Sequence, residues 1–411
     1  MKLPAARPAL PCLSAIAVTL ALACGPTEPP KQAPAPTPAP APIAAPQPEE
    51  PARPEAPPPP ARPPRIVSVA AGGSHSCVVL DDGKVRCWGA NADGQLGAAG
   101  VPESKNLVEV AGLSDVAALA LGDDFSCARL TGGGVQCWGS DAMGQLGTGT
   151  DAAASRPTPA PVVDLAGVTT LDAGDWTAAA LLADGTLRFW GRNNVGQFGD
   201  GTEVDRTAPV ATPPLTAVRQ VALGGFFACA LLSDASVRCW GWNEHGQLGD
   251  GKSGKAAVQR APVAGPKLTG VEQLALGENH GCARLSSGAV SCWGSNEYGQ
   301  LGDGTRRDRL APVAVRGLTG AVELAVGGYH GCARLGDGAV HCWGANASGQ
   351  LGDGTTVDRQ VPTAIPDAGP AKQLAAGAYH TCALRSDDTL WCWGKPGAVG
   401  DGPPRPVQVT L

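Results

Sequence analysis

Twelve of the fourteen cysteines fall in pairs ten residues apart: Cys77 and Cys87, Cys127 and Cys137, Cys229 and Cys239, Cys282 and Cys292, Cys332 and Cys342, Cys382 and Cys392. A histidine stands two residues before the first cysteine in four of them, at His75, His280, His330 and His380. Thiolates and an imidazole on one strand face are zinc ligands by type. The same two thiols alone are a redox couple or a structural disulfide. Two departures from the pattern discriminate. Phe125 and Phe227 replace the histidine while both cysteines remain, so the pair does not need the imidazole. Ala179 and Phe189 replace both cysteines of one unit together, as expected if each is useless without the other. The set reads as six disulfides and no metal.

Other chemistry is sparse. The phrase "DGTxxDR" recurs at 200–206, 303–309 and 353–359, with Asp at both ends of a short loop. Calcium is one reading, but the dense alternating oxygens of a calcium loop are missing. Turn capping and Asp–Arg pairing account for the residues better. The histidines recur beside a glycine turn, which favours a structural role bridging loop backbone. No phosphate-cradling glycine loop, GxSxG or recognisable acid–base carboxylate pair occurs, so neither catalytic residues nor a cofactor are expected.

The elements that position the cysteines repeat. Trp-Gly dipeptides fall at Trp88, Trp138, Trp190, Trp240, Trp293, Trp343 and Trp393, 50 to 53 residues apart. Each unit carries four short β-type runs, as in "APVAV", "AVELAVGG", "HGCARL" and "AVHCWG", followed by a long loop such as "ANASGQLGDGTTVDR". Glycine punctuates the units every ten residues or so, and no window sustains the 3.6-residue period of stacked helices. Four short strands cannot bury both faces alone, whereas seven such units in a ring can. The expectation is an all-β, seven-bladed β-propeller of four-stranded antiparallel blades with intra-blade hairpin disulfides. The hairpin of each unit turns on three residues, the third of which is Gly in five of the seven units. That is a type I turn with a bulge, which needs a left-handed third residue. It sets Cys77 opposite Cys87 at a non-hydrogen-bonded site, where α-carbons approach to roughly 4.5 Å, within disulfide reach. Asp388 tolerates that conformation; Ala235 fits it poorly. The chain ends in "RPVQVTL", a copy of the "PVAV" run that the first unit lacks. It either completes the first blade and clasps the ring or finishes the last.

The phrases "WGWNEHGQLGDG", "WGSNEYGQLGDGT" and "WGANASGQLGDGT", the last two preceded by a "GxxHxC" element, resemble the regulator-of-chromosome-condensation repeat over residues 66–411. The resemblance implies a seven-bladed propeller. The founder of that family exchanges nucleotide on a small nuclear GTPase and touches chromatin; exported bacterial members include a propeller-shaped β-lactamase inhibitor. The shape carries over, and the activity does not.

Residues 1–24 have the build of an export signal, with Lys2 and Arg7 before the apolar stretch Leu13–Ala23. That stretch is too short to span a bilayer. It ends in "LALAC", which resembles a bacterial lipobox with Cys24 as the lipidated residue, although Ala21 stands where Leu is usual. Gly25 resembles the outer-membrane-sorted group, and an ordinary secretory signal is the alternative. Residues 25–65 form an extended linker: 18 of the 40 residues from 25 to 64 are proline. With a net charge of −6 and no basic patch, nucleic acid is not an expected partner.

Apart from the seven repeat tryptophans, eleven aromatics remain, and eight fall in loops at one end of the ring. Phe125 and Phe227 take the histidine place and are expected to be buried. The other six, Trp176, Phe226, Trp242, Tyr298, Tyr329 and Tyr379, vary between units at positions the fold does not fix. Large aromatics on a loop face are typical anchors of a binding surface, although packing of loop on loop would also use them. The expected function is a non-catalytic, lipid-anchored propeller of the cell envelope binding a protein or peptide through this face. A carbohydrate binder is the alternative, with Asp124, Asp175, Arg192, Asn243 and Asn279 as candidate polar groups. A propeller enzyme acting on polysaccharide would instead need acidic or histidine groups of perturbed pKa converging on the axis.

Overall fold

The computed structural model describes residues 37, 39, 62, 64–150, 155–212, 215–395 and 404–410. Residues 1–61 form one unit and 62–411 another. The expected signal, the lipidation site at Cys24 and almost all of the linker lie outside the described residues. Arg62 and Arg65, at the end of the expected linker, already belong to the second unit, where both guanidinium groups pair with Asp81.

The second unit is a β-propeller of seven four-stranded antiparallel sheets, each built from four consecutive strands. Blade 5 shows the pattern: Val271–Leu276 innermost, then His280–Leu285, Val290–Gly294 and Arg309–Ala314. Prolines such as Pro209, Pro262 and Pro312 sit in the outermost strands. An edge strand tolerates the missing N–H there. The C-terminal strand Val407–Val409 pairs Val407 with Cys392, so it finishes blade 7 and does not clasp blade 1.

The hairpins have the expected register, with Cys77 opposite Cys87 and the same in the other five cysteine-bearing blades. All six pairs are bonded, with α-carbons 4.0 to 4.1 Å apart. In blade 3 the register sets Ala179 against Phe189, and the Phe189 ring fills the space, 5.8 Å from Phe198 and 6.0 Å from Trp240. Phe198 stands where the neighbouring blades have Leu146 and Leu248, so two phenylalanines replace a disulfide and a leucine. Ala235 adopts φ 63° at the third turn position, as glycine does at Gly83 with φ 77°.

Each core cluster is shared between adjacent blades; Phe227, Leu231 and Leu248 of blade 4, for example, pack with Val271, Leu274 and Trp293 of blade 5. The repeat motifs are also joined across blades. The Trp138 Nε1 donates to the Gln95 carbonyl of the preceding blade at 2.9 Å, and Trp343 to Gln300 likewise. These bonds join "WG" to "GQLG". The buried histidines reach forward. His75 Nε2 lies 2.8 Å from the Ser126 hydroxyl, which donates to Gln95 O, so the imidazole N–H must be the donor to Ser126. His330 and Thr381 repeat the relay at 2.8 Å. The histidines are structural as expected, but His75, His330 and His380 bridge to a hydroxyl of the next blade rather than to loop backbone.

The ring closes by the same devices. Gln373 Nε2 donates to Val69 O at 3.1 Å while its Oε1 accepts from Val69 N at 3.2 Å, joining blade 7 to blade 1. Gln220 and Gln273 clamp Leu274 and Leu324 in the same way. Leu384, Leu390 and the Cys382–Cys392 pair share a core with Ile66, Val69 and Val78.

The aromatic loop face

The long loops are organised by a buried asparagine. Asn296 Oδ1 accepts from Leu301 N at 3.0 Å, and its Nδ2 donates to Thr305 O at 3.1 Å and Arg307 O at 3.0 Å. Asp308 accepts from Asn296 N at 2.8 Å, and Asp303 pairs with Arg309 at 2.7 Å. Asp353, Asp358 and Arg359 repeat the arrangement. The "DGTxxDR" carboxylates therefore serve the loop itself, as Asp–Arg pairs and caps. Asn243 belongs to this class, fully buried and bonded to Leu248 N, Asp250 and Lys252 O, which removes it from the candidate sugar-reading groups.

This scaffold gathers the six candidate aromatics into two arcs. Phe226 lies 5.8 Å from Trp176 and 5.7 Å from Trp242, ring centre to ring centre. Tyr329 lies 5.7 Å from Tyr298 and 6.2 Å from Tyr379. Five are half-buried and Tyr379 is exposed. Phe125 and Phe227 are buried in the histidine place. Arg192 lies over Trp176 at 4.9 Å and Phe226 at 5.4 Å; Lys395 lies 5.3 Å from the centre of the Tyr379 ring. Cations over aromatic faces are held by the ring quadrupole. The loop-packing reading is thus partly realised, since the rings touch one another, yet their outer faces remain open to solvent.

At the centre of the face is a cavity of about 100 Å³, lined by the ends of the innermost strands of all seven blades. The residue following the strand-ending glycine is Gly73, Asp123, Asp175, Gly225, Glu278, Gly328 or Ala378, in blade order. Three carboxylates thus enter from blades 2, 3 and 5. Asp175 and Glu278 reach toward each other over Gly225, where an added Cβ would lie 2.9 Å from Asp175 Oδ2 and 2.8 Å from Glu278 Oε2. With the two carboxyls this close, ionising Glu278 disfavours ionising Asp175. Burial, and then the Glu278 charge, push Asp175 up to about 8. Burial raises Glu278 and Asp123 too. Asp124, just outside the mouth, is pushed up to about 6 by burial and by Asp123. Burial and the Glu278 carboxylate raise the Tyr329 phenol. Sequence reading found Asp175 but missed Asp123, Glu278 and Lys395. The signal for the two acids was one repeat column, "LGDD", "AGDW" and "LGEN" against "VGGY" and "LGGF".

A family model described as RCC1-like domain matches residues 40–330 and 148–410, and the chain belongs to that family. Among solved structures, human WBSCR16 is 25% identical with a TM-score of 0.70, over 78% of this chain and 87% of that one. Yeast RCC1 (Prp20), crystallised with Kap60, is 20% identical with a TM-score of 0.70, over 84% and 85%. A structure of Prp20p from Saccharomyces cerevisiae, described with its binding to Gsp1p and histones, is 22% identical with a TM-score of 0.67, over 84% and 88%. The two yeast structures show the fold alone.

Proposed function

We propose that this chain is a non-catalytic, exported and lipid-anchored propeller of the cell envelope that binds a protein or peptide through its aromatic loop face. The observation that carries the reading is the pair of aromatic arcs, Trp176–Phe226–Trp242 and Tyr298–Tyr329–Tyr379, around one axial mouth. Half-buried aromatics held by neighbours lose little side-chain freedom on binding, which is what makes such residues anchors. Binding of protein partners by a propeller of this family, as described for Prp20p with Gsp1p and histones, supports the class of partner but not its identity. Membrane attachment through Cys24 rests on the "LALAC" segment. The test for that part is fractionation: Cys24→Ala should move the chain from the membrane to the soluble fraction, and an unchanged distribution refutes the anchor.

The enzyme alternative asked for acids of raised pKa converging on the axis, and Asp175 and Glu278 are such acids. Glycoside hydrolysis needs one carboxyl on each side of the scissile bond, whereas these two converge on the single point a Gly225 Cβ would occupy, 2.9 and 2.8 Å from it. Recognition fits the pair better. Affinity capture from envelope extracts with the wild type and with Trp176→Ala/Trp242→Ala tests the reading. A partner retained by the wild type and lost by the double variant is expected; identical capture overturns it.

A further inference from the structure

Resting on that reading, we infer that the axial mouth receives a single basic side chain, Lys or Arg, projecting from the protein partner, with the two aromatic arcs closing around its stem. The argument is charge complementarity at the centre of an otherwise aromatic face. Asp123, Asp175 and Glu278 line the cavity, and the four other blades contribute only Gly or Ala at that position. Gly225 is what allows the meeting, because any side chain there would strike both carboxylates. Gly73 makes room likewise: an added Cβ there would lie 1.8 Å from Asp123 Oδ1. The acids thus lie over the small residues of their neighbours.

The face already holds two cations of its own, and neither fills the mouth. Arg192 lies on Trp176 and Phe226, and Lys395 donates to the Ser74 hydroxyl at 3.2 Å beside Tyr379. With both present, Asp175 still keeps its proton to about pH 8. The mouth is short of positive charge, and a proton makes up the difference. An ammonium or guanidinium group entering a cavity of about 100 Å³ would displace that proton and gain charge-assisted hydrogen bonds. Its alkyl stem would then lie along the ring faces, the usual disposition of Lys and Arg stems on apolar surface.

The probe is a blocked pentapeptide, acetyl-Gly-Gly-Lys-Gly-Gly-amide, titrated calorimetrically into the mature protein at pH 7. Its norleucine analogue is the control. Weak binding of the lysine peptide is expected, with protons released, as read from heats in two buffers of different ionisation enthalpy. Asp175→Asn/Glu278→Gln should weaken it by about tenfold or more, because a buried partner of the charge is removed. Gly225→Ala, which wedges the carboxyls apart, should weaken it while leaving the fold intact by circular dichroism. Equal affinity for the norleucine peptide, or no binding at millimolar concentration, overturns the inference. So does binding of chitotetraose that is insensitive to the acid substitutions. The two readings separate in the capture experiment. A partner lost with Trp176→Ala/Trp242→Ala but kept with Asp175→Asn/Glu278→Gln leaves the loop face standing and removes the basic side chain.

Discussion

His380 Nε2 in the last blade lies 2.6 Å from Ser76 Oγ in the first. No strand crosses this seam, so the bond and the Gln373–Val69 clamp are what chain connectivity provides at the other six blade junctions. Gln373→Leu leaves the Val69 N–H and C=O unpaired at a buried site, a loss of about 1–3 kcal/mol. Urea unfolding measures the loss. Hydrogen exchange should show the added opening first in Ile66–Ala71 and Ala371–Ala376; uniform opening around the ring would contradict this account.

The forward neighbour of each histidine position follows a rule with one exception. His75, His330 and His380 face Ser126, Thr381 and Ser76, whereas Phe125 and Phe227 are followed in the next blade by Ala178 and Gly281, which have no hydroxyl. His280 has Gly331 ahead of it, and both its ring nitrogens lack a partner among the described residues. His280→Phe copies the Phe227–Gly281 arrangement and should stabilise the fold, measured as a raised urea midpoint at pH 5. His330→Phe, which abandons the Thr381 hydroxyl, should not.

Acid should unfold this protein readily. Burial lowers His75, His280 and His330 from 6.5 to about 3 and His380 to about 4. A folded pKa below the unfolded one means that stability is complete above pH 6.5 and is lost as pH falls toward 3–4. The slope is about 1.4 kcal/mol per pH unit for each histidine. Asp172, raised by burial from 3.8 to about 7, has the opposite sign: its contribution is full below 3.8 and is lost as pH rises to 7. Asp172→Asn should therefore stabilise the fold at pH 8 more than at pH 5. Unfolding midpoints measured across pH 4 to 9 on the wild type, Asp172→Asn and His280→Phe decide the signs.

Ala235 holds φ 63° at a turn position that is glycine in five of the other blades. A left-handed alanine costs roughly 1–2 kcal/mol, part of which glycine returns through its freer unfolded chain. Ala235→Gly should raise stability by about 0.5–1 kcal/mol; a neutral or negative value from urea unfolding would show that the turn is not strained.

Blade 3 offers a direct check of the disulfide geometry. Ala179 and Phe189 occupy the paired register, so Ala179→Cys/Phe189→Cys should oxidise to a seventh bond, seen as no gain in free thiol. It should still lower stability, because Phe189 fills the space beside Phe198 and Trp240.

Most of the fold was legible because repetition makes the sequence its own control. Seven copies expose which residues a strand needs, and the unit lacking both cysteines explained the other six. What the repeat could not show was the pairing of the last strand. "RPVQVTL" suits either end of the ring, and only the contact between Val407 and Cys392 distinguishes them. The aromatic loops were legible as departures from the repeat. Asp123 and Glu278 were missed because Asp and Glu next to glycine read as ordinary turn residues. Their meaning comes from convergence on an axis, which brings Asp175 and Glu278 together from positions 103 residues apart. The forward reach of the histidines was equally hidden, since His75 and Ser126 lie 51 residues apart.

Because the last strand stays in its own blade, every blade is one uninterrupted stretch of chain. A single in-frame duplication or loss of about 50 residues therefore adds or removes a whole structural unit, with no strand left to be shared across the join. Each blade also carries its own contribution to the mouth, as Gly, Ala, Asp or Glu, and blades 3 to 7 carry the Trp, Phe or Tyr of the arcs. Recombination between blades can then rewrite the surface one sector at a time, making specificity an inheritable arrangement of interchangeable parts.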